Sequence, residues 1–291
     1  MWAWFYHPST LPAAYNRWIS SASGVDARLI TALRRCRDGT LVYGSTADTA
    51  TNQASRALLQ EMCAGTGWAP REWGDPAVAI PFPCTLVHQG AGPSCERHLA
   101  ARWLRAFRWS AAMYLPLALT AAVLRRASSR SGGGRRPGGK AEAALAGALV
   151  RAMLSASRSA AFLATFVSAF YYGVCLCRTR VGPRFLPLLA DTPTEARQRI
   201  DGGLCVACGC ALCGPASIFI ELPGRRKDMA LFVAPRALAT LLPRRYGLDK
   251  QWRETAVFAV SAAVVFTCAR ENRGRVRGVF GEILGTVLES Q

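Results

Sequence analysis

SAAFLATFVSAFYYGVCLC, Ser159 to Cys177, runs for 19 residues without a charge and closes near the aromatic pair Tyr171 and Tyr172. About 20 apolar residues at a rise of about 1.5 Å each cross the roughly 30 Å hydrocarbon core of a bilayer. Paired tyrosines suit the headgroup level at the end of such a crossing. The stretch therefore reads as a transmembrane helix, and that reading governs the rest of the chain.

Three further stretches approach the same length. WSAAMYLPLALTAAVL (Trp109 to Leu124) carries Pro116 as a kink, GGLCVACGCALCGPASIFI (Gly202 to Ile220) is uncharged throughout, and TAVFAVSAAVVFTCA (Thr255 to Ala269) is marginal unless neighbouring helices shield its ends. Between the last two lies DMALFVAPRALATLL, apolar after Asp228 except for Arg236 and interrupted by Pro235. It reads as an amphipathic helix with Arg236 snorkelling, or as a re-entrant helix in which a buried Arg236 demands a carboxylate. Glu221 and Glu254 are the candidate partners, and Arg225 and Arg226 complete the intramembrane or interfacial charges. The expected fold is all-α: a polytopic helical membrane protein with about four spans plus an amphipathic or re-entrant helix.

Composition agrees. The 291 residues are 51% hydrophobic and 19% charged, with mean hydropathy +0.14, and the charge is gathered into clusters such as Arg125-Arg126 and Arg225-Arg226-Lys227. A net charge of +18 would also suit a nucleic-acid binder. Here, however, the basic residues flank uncharged runs, as juxtamembrane residues do beside anionic headgroups. The expected partners are a lipid bilayer with anionic headgroups and other membrane proteins or a second copy of the chain, with no nucleic acid. If all four stretches cross, the loops at 125–158 and 223–253 carry eight Lys and Arg each, against five and four at 178–201 and 270–291. The first pair then faces the positive side.

Residues 1–100 form a distinct Cys-, His- and Trp-containing module, soluble or interfacial, ahead of a helical membrane domain at 101–291. Within the module, DARLITALRRC (Asp26 to Cys36) predicts a helix with Leu29, Ile30 and Leu33 on one face and Asp26 as its cap, and a second helix is expected around Gln53 to Cys63. Pro70, Pro76, Pro81 and Pro83 then impose an extended connection. SSRSGGGRRPGG, Ser128 to Gly139, sits inside a flexible linker at 126–140. It lacks the Lys-Ser/Thr and the preceding strand that a phosphate-cradling loop requires.

Eleven cysteines are too few for a disulfide scaffold of this length, and MWAWFYHPSTLPAAYNRW shows no secretory h-region, so the thiols are expected to be reduced. Four fall in C-x2-C-x-C-x2-C, from Cys205 to Cys213. On one continuous helix the two pairs diverge by roughly 80–140° at 100° per residue, which cannot close a tetrahedral site. The reading preferred here is a helix-packing face of small residues: Gly202, Gly203, Cys205, Cys208, Gly209, Cys210, Cys213 and Gly214. Cys175 and Cys177, at the end of a span, are candidate acylation sites.

A sharper set of ligand types is Cys84, His88, Cys95 and His98, in the order C-x3-H-x6-C-x2-H with a Gly-Ala-Gly-Pro turn between the pairs. These suit zinc, although the spacing matches no standard finger. A Cys84–Cys95 disulfide and plain packing are the alternatives. Catalytic signatures do not emerge: three histidines, no G-x-S-x-G, no H-E-x-x-H and no paired carboxylates inside an apolar run point away from an enzyme.

SRSAAFLATFVSAFYYGVCLCRTRVG and IELPGRRKDMALFVAPRALATLL resemble the transmembrane protein 135 family, and PCTLVHQGAGPSC, AMYLPLAL, GLCVACGCALCG, LPRRYGLDKQWRE, VRGVFGEIL and the opening AWFYHPSTLPAAYNRWI are similar to its fungal branch. The most specific piece is a Ser/Ala-rich span ending in C-x-R-x-x-x-G, followed later by an Arg-Arg pair before a helix. The corresponding residues here are Cys177, Arg178 or Arg180, Gly182, Arg225 and Arg226, although Cys177 is followed by Arg178 and Thr179, which departs from that spacing. The resemblance implies a multi-pass protein of mitochondrial or peroxisomal membranes, non-enzymatic, with a structural or regulatory role in membrane dynamics or lipid homeostasis. Two other functions are carried beside it: a transporter or lipid-handling pore with Arg236 facing a cavity, and a membrane thiol or zinc-binding protein.

Overall fold

The computed structural model describes residues 1–47, 49–131, 138–185, 190–240 and 251–271. Among these, every regular element is helical and no strand occurs. In chain order the helices are α1 (Trp2–Tyr6), α2 (Ala13–Ser23), α3 (Ala27–Asp38), α4 (Ala50–Ala64), α5 (Pro70–Trp73), α6 (Cys84–His88), α7 (Cys95–Ser131), α8 (Gly138–Leu176), α9 (Gly182–Phe185), α10 (Pro193–Arg199), α11 (Cys205–Ile218), α12 (Pro223–Ala239) and α13 (Gln251–Glu271). The chain divides into two compact units, Met1–Arg236 and Ala237–Gln291.

Local chemistry accounts for the helix ends. Asp26 caps α3, its carboxylate accepting from the Arg28 amide at 2.8 Å, and Gly39 closes it in the left-handed conformation. Leu29 and Leu33 are buried while Ile30, a residue further round, is half-buried. Thr49 caps α4 by accepting from the Asn52 amide.

The frame of the first unit is an antiparallel hairpin of α7 and α8 with α11 running back along α8. Trp103 Nε1 on α7 donates to Thr165 Oγ1 on α8 at 2.9 Å, which sets the register. On the other side of α8, Gly173 and Gly209 meet backbone to backbone: a Cβ on Gly209 would lie 2.7 Å from the Phe170 carbonyl oxygen, and one on Gly173 2.8 Å from the Gly209 Cα. The second half of α8, from Ala156, together with Cys177 just past its end, is central to the core of this unit. Its Phe170, Val174 and Ala164 are buried with Leu33, Leu59, Phe82 and Leu86 of the N-terminal helices. Each such large side chain withdrawn from water contributes about 1.5–3 kcal/mol.

Two helical stretches, Ala146–Phe185 and Pro193–Ile218, are long and apolar enough to cross a membrane, by length and composition. The first is 67% buried over its apolar window, packed along α7 and α11 and sharing a core with the N-terminal helices. The second changes direction at Gly203, whose φ of 150° no side chain tolerates well. Among the described residues, then, two stretches qualify and the expected four spans are not confirmed. The uncharged parts of α7 and α13, Trp109–Leu124 and Thr255–Ala269, would reach only about 24 Å and 22 Å at 1.5 Å per residue.

The centre of the expected linker, residues 132–137, lies outside the described residues, but α7 runs through Ser131 and α8 begins at Gly138, so helix enters 126–140 from both sides. The module at 1–100 shares one core with α8 and α11. Taken alone, the second unit presents α13, with Val257, Phe258, Val260 and Phe266 exposed.

Candidate metal centre

Pro83 stops the extended run and lets α6 begin at Cys84, so that Cys84 and His88 fall one helical turn apart on the same face. Gln89, Gly90 and Gly92 then take positive φ, of 50°, 83° and 90°, and fold the chain back so that α7 starts at Cys95 beside α6. The fourth member arrives from far along the sequence: Cys175, near the end of α8. One ligand atom from each of Cys84, His88, Cys95 and Cys175 lies within 4.8 Å of all the others. Cys175 and His88 are buried, Cys84 and Cys95 half-buried.

The structure thus brings together three of the four residues expected from the spacing and replaces the last. His98 is buried and its ring stacks on His88, centroids 4.6 Å apart and 20° from parallel. A lone pair on an imidazole lies in the ring plane, so two parallel rings at that separation cannot both aim a nitrogen at one ion. Burial, together with the nearby Arg102 and His88, pushes the His98 pKa down to about 3, and its imidazole is neutral. Cys175 was read from the sequence as an acylation site with Cys177. Both are buried, at 0% and 3% exposure, and neither thiol can take an acyl chain without opening the core.

The His88 ring is held for ligation. Its Nδ1 lies 2.8 Å from the Gly92 carbonyl oxygen, which can only accept, so the proton is on Nδ1 and the Nε2 lone pair faces the Cys175 sulfur at 3.5 Å. The Cys84 thiol is lowered to about 6, chiefly by a hydrogen bond with Cys175, against the cost of burial and with help from Arg178 and His88. Arg178 Nη1 stands 3.8 Å from the Cys84 sulfur.

Arg178 belongs to a second buried constellation that sequence reasoning did not assemble. Cys177–Val181 and Ile200–Leu204 are π-helical turns, one ending α8 and the other preceding α11. From them Arg178 and Asp201 meet in a two-pronged ion pair, Nε to Oδ1 at 2.6 Å and Nη2 to Oδ2 at 2.9 Å, each side chain 1% exposed. Nη2 also donates to the Phe82 carbonyl at 2.7 Å, the guanidinium lies over the Phe82 ring, and the Tyr43 hydroxyl donates to Asp201. Burial and the Asp201 charge hold the Tyr43 phenol well above its ordinary value. The signal was present: a charge just after one apolar run and another just before the next fall together when the two helices pack antiparallel.

The remaining candidates divide by position. Cys205, Gly209 and Cys213 are buried and Cys208 and Cys210 half-buried, with Gly209 making the close approach to α8. A Cβ on Gly214 would meet nothing within 4 Å, so it is not a packing position, and Gly202 and Gly203 approach Cys36 and Arg37 rather than α8. Arg236 is exposed beside the Tyr15 ring at 5.8 Å. A groove lined by Trp2, Cys36, Arg37, Gln198, Gly203 and Ala207 does not include it. Glu221 is buried near the start of α12, where Arg226 Nε donates to its carbonyl at 2.9 Å, and Glu254 is exposed on α13. The side chain of Arg225 lies outside the described residues.

Compared with protein families, with curated proteins and with solved structures, the chain matches none.

Proposed function

We propose that this chain is a non-enzymatic membrane protein with a structural or regulatory role, in which the N-terminal helices brace a helical hairpin that enters the bilayer. The observation that carries the reading is the distal half of the α7–α8 hairpin. In the Trp103–Thr165 register, Leu117 on α7 stands at the level of Val150, Met153 and Leu154 on α8, and all four are exposed. Arg105, Arg108 and Arg158 gather at the near end of this band, and Arg125, Arg126 and Lys140 follow at its far end in sequence. From Arg108 to Arg125 is about 25 Å at 1.5 Å per residue, about 5 Å short of a hydrocarbon core, a shortfall that local thinning and snorkelling of the flanking arginines accommodate. Between Lys140 and Arg158 on α8 the uncharged run is interrupted by Glu142, close to Lys140, and by Arg151. The Arg151 guanidinium reaches back along α8, with Nη1 3.5 Å from where a Cβ on Gly147 would lie, toward the far end of the band.

On this reading the first and fourth apolar stretches are the lipid-facing ones, with the hairpin turn on the far side, while the helical stretches holding the second and third are 67% and 44% buried within the protein over their apolar windows. The resemblance of its sequence to the transmembrane protein 135 family is the support for reading the membrane as mitochondrial or peroxisomal and the role as organelle dynamics or lipid homeostasis. Alkaline carbonate extraction of cells expressing a tagged chain, followed by imaging beside mitochondrial and peroxisomal markers, tests both parts. The account expects the protein in the membrane pellet and coincident with one of the two markers. Release into the supernatant would overturn the membrane reading, and coincidence with neither marker the organelle assignment.

A further inference from the structure

We propose that Cys84, His88, Cys95 and Cys175 hold one zinc ion in a closed four-ligand site that fastens the N-terminal helices to the end of α8. Three thiolates and one imidazole are the donor types of structural zinc, and the four ligand atoms already lie within 4.8 Å of one another. Zinc at about 2.3 Å from sulfur and about 2.0–2.1 Å from nitrogen sets tetrahedral ligands roughly 3.8 Å apart, so binding closes the widest separation by up to about 1 Å.

Independent features support ligation over simple packing. The Gly92 carbonyl fixes the His88 tautomer so that Nε2 is the free lone pair and faces inward, the arrangement metal-bound histidines use. The positive φ of Gln89, Gly90 and Gly92 brings Cys84 and Cys95 to the same point from opposite directions. Three thiolates around a dication leave one net negative charge, and the Arg178 guanidinium at the Cys84 sulfur offsets it. Four protein ligands fill a tetrahedral shell, so the ion is structural and keeps no open position for a substrate. The ligands come from the start and end of α6, the start of α7 and the end of α8, so binding closes an 80-residue loop between Cys95 and Cys175 that packing alone must otherwise hold.

The test is metal analysis of the full-length chain purified under reducing conditions without chelator, with X-ray absorption at the zinc edge. The expected result is about one zinc per chain with a shell of three sulfurs and one nitrogen. A shell of two sulfurs and two nitrogens would return His98 to the site and overturn the proposal. So would a chain free of bound metal after incubation with zinc, or mass spectrometry finding a disulfide among Cys84, Cys95 and Cys175. His98→Ala should keep the full zinc content and Cys175→Ser should lose most of it. Should Cys175→Ser fail to fold, the shell measured on the unaltered chain decides alone.

Discussion

At the residue scale the molecule rests on charges and thiols taken out of water in matched sets. The Arg178–Asp201 pair, 1% exposed on both sides, is satisfied only as a group: each has further partners in Tyr43 and the Phe82 carbonyl. Removing one partner leaves the other charged and buried, so Asp201→Asn or Arg178→Ala should each cost about 3–5 kcal/mol, whereas the double replacement Arg178→Met with Asp201→Leu should cost less than either. Thermal unfolding in detergent reads the difference, and additive single effects would contradict it. Titration gives a second expectation at this scale. Burial, with Asp201 close by, raises the Cys36 thiol from 9.0 to about 12, and Tyr43 is raised as well. The folded chain therefore keeps protons that the unfolded chain loses. The contribution of Cys36 to stability is complete below about pH 9 and declines as pH rises toward 12, by up to about 1.4 kcal/mol per unit. A series of melting points from roughly pH 8 to 11 should fall more gently in Cys36→Ala than in the parent.

At the scale of elements, what could be read in advance depended on whether the signal was local. Asp26 before an apolar-periodic run marks a helix start, and α3 begins one residue later. Cys84, His88 and Cys95 were legible because a turn of Gly and Pro separates ligand types by a few residues. Cys175 was not, because nothing local in CLCRTR distinguishes a ligand from an interfacial thiol; only the antiparallel return of α8 along α7 carries it to Cys95. The small residues of α11 behaved as a packing face at Gly209 and not at Gly214, since only the first faces α8. Gly209→Ala should thus lower stability by about 1–3 kcal/mol through overpacking against Phe170. Gly214→Ala should leave it unchanged or raise it by up to about 1 kcal/mol, as alanine does in a helix with open space around it. Equal effects of the two would remove the close approach as the basis of the α8–α11 contact.

At the scale of the whole molecule, the apolar stretches had been weighed by length and charge alone, which cannot tell a lipid-facing helix from one enclosed by protein. The segment Ser159–Cys177 lies in the more enclosed of the two long apolar helical stretches, because α7 and α11 pack along α8 and buried side chains of the N-terminal helices join the same core. Trp109–Leu124, shorter, keeps Leu117 and Val123 exposed. The central claim is that the α7–α8 hairpin crosses the bilayer and carries its turn to the side opposite the N-terminal helices. Protease cleavage of sealed organelles, with one cleavage site placed before Trp2 and another within residues 132–137, measures this directly. The account predicts that only one of the two is cut from outside and that the other is cut once the membrane is opened; both cut in intact organelles, or both protected, would contradict it.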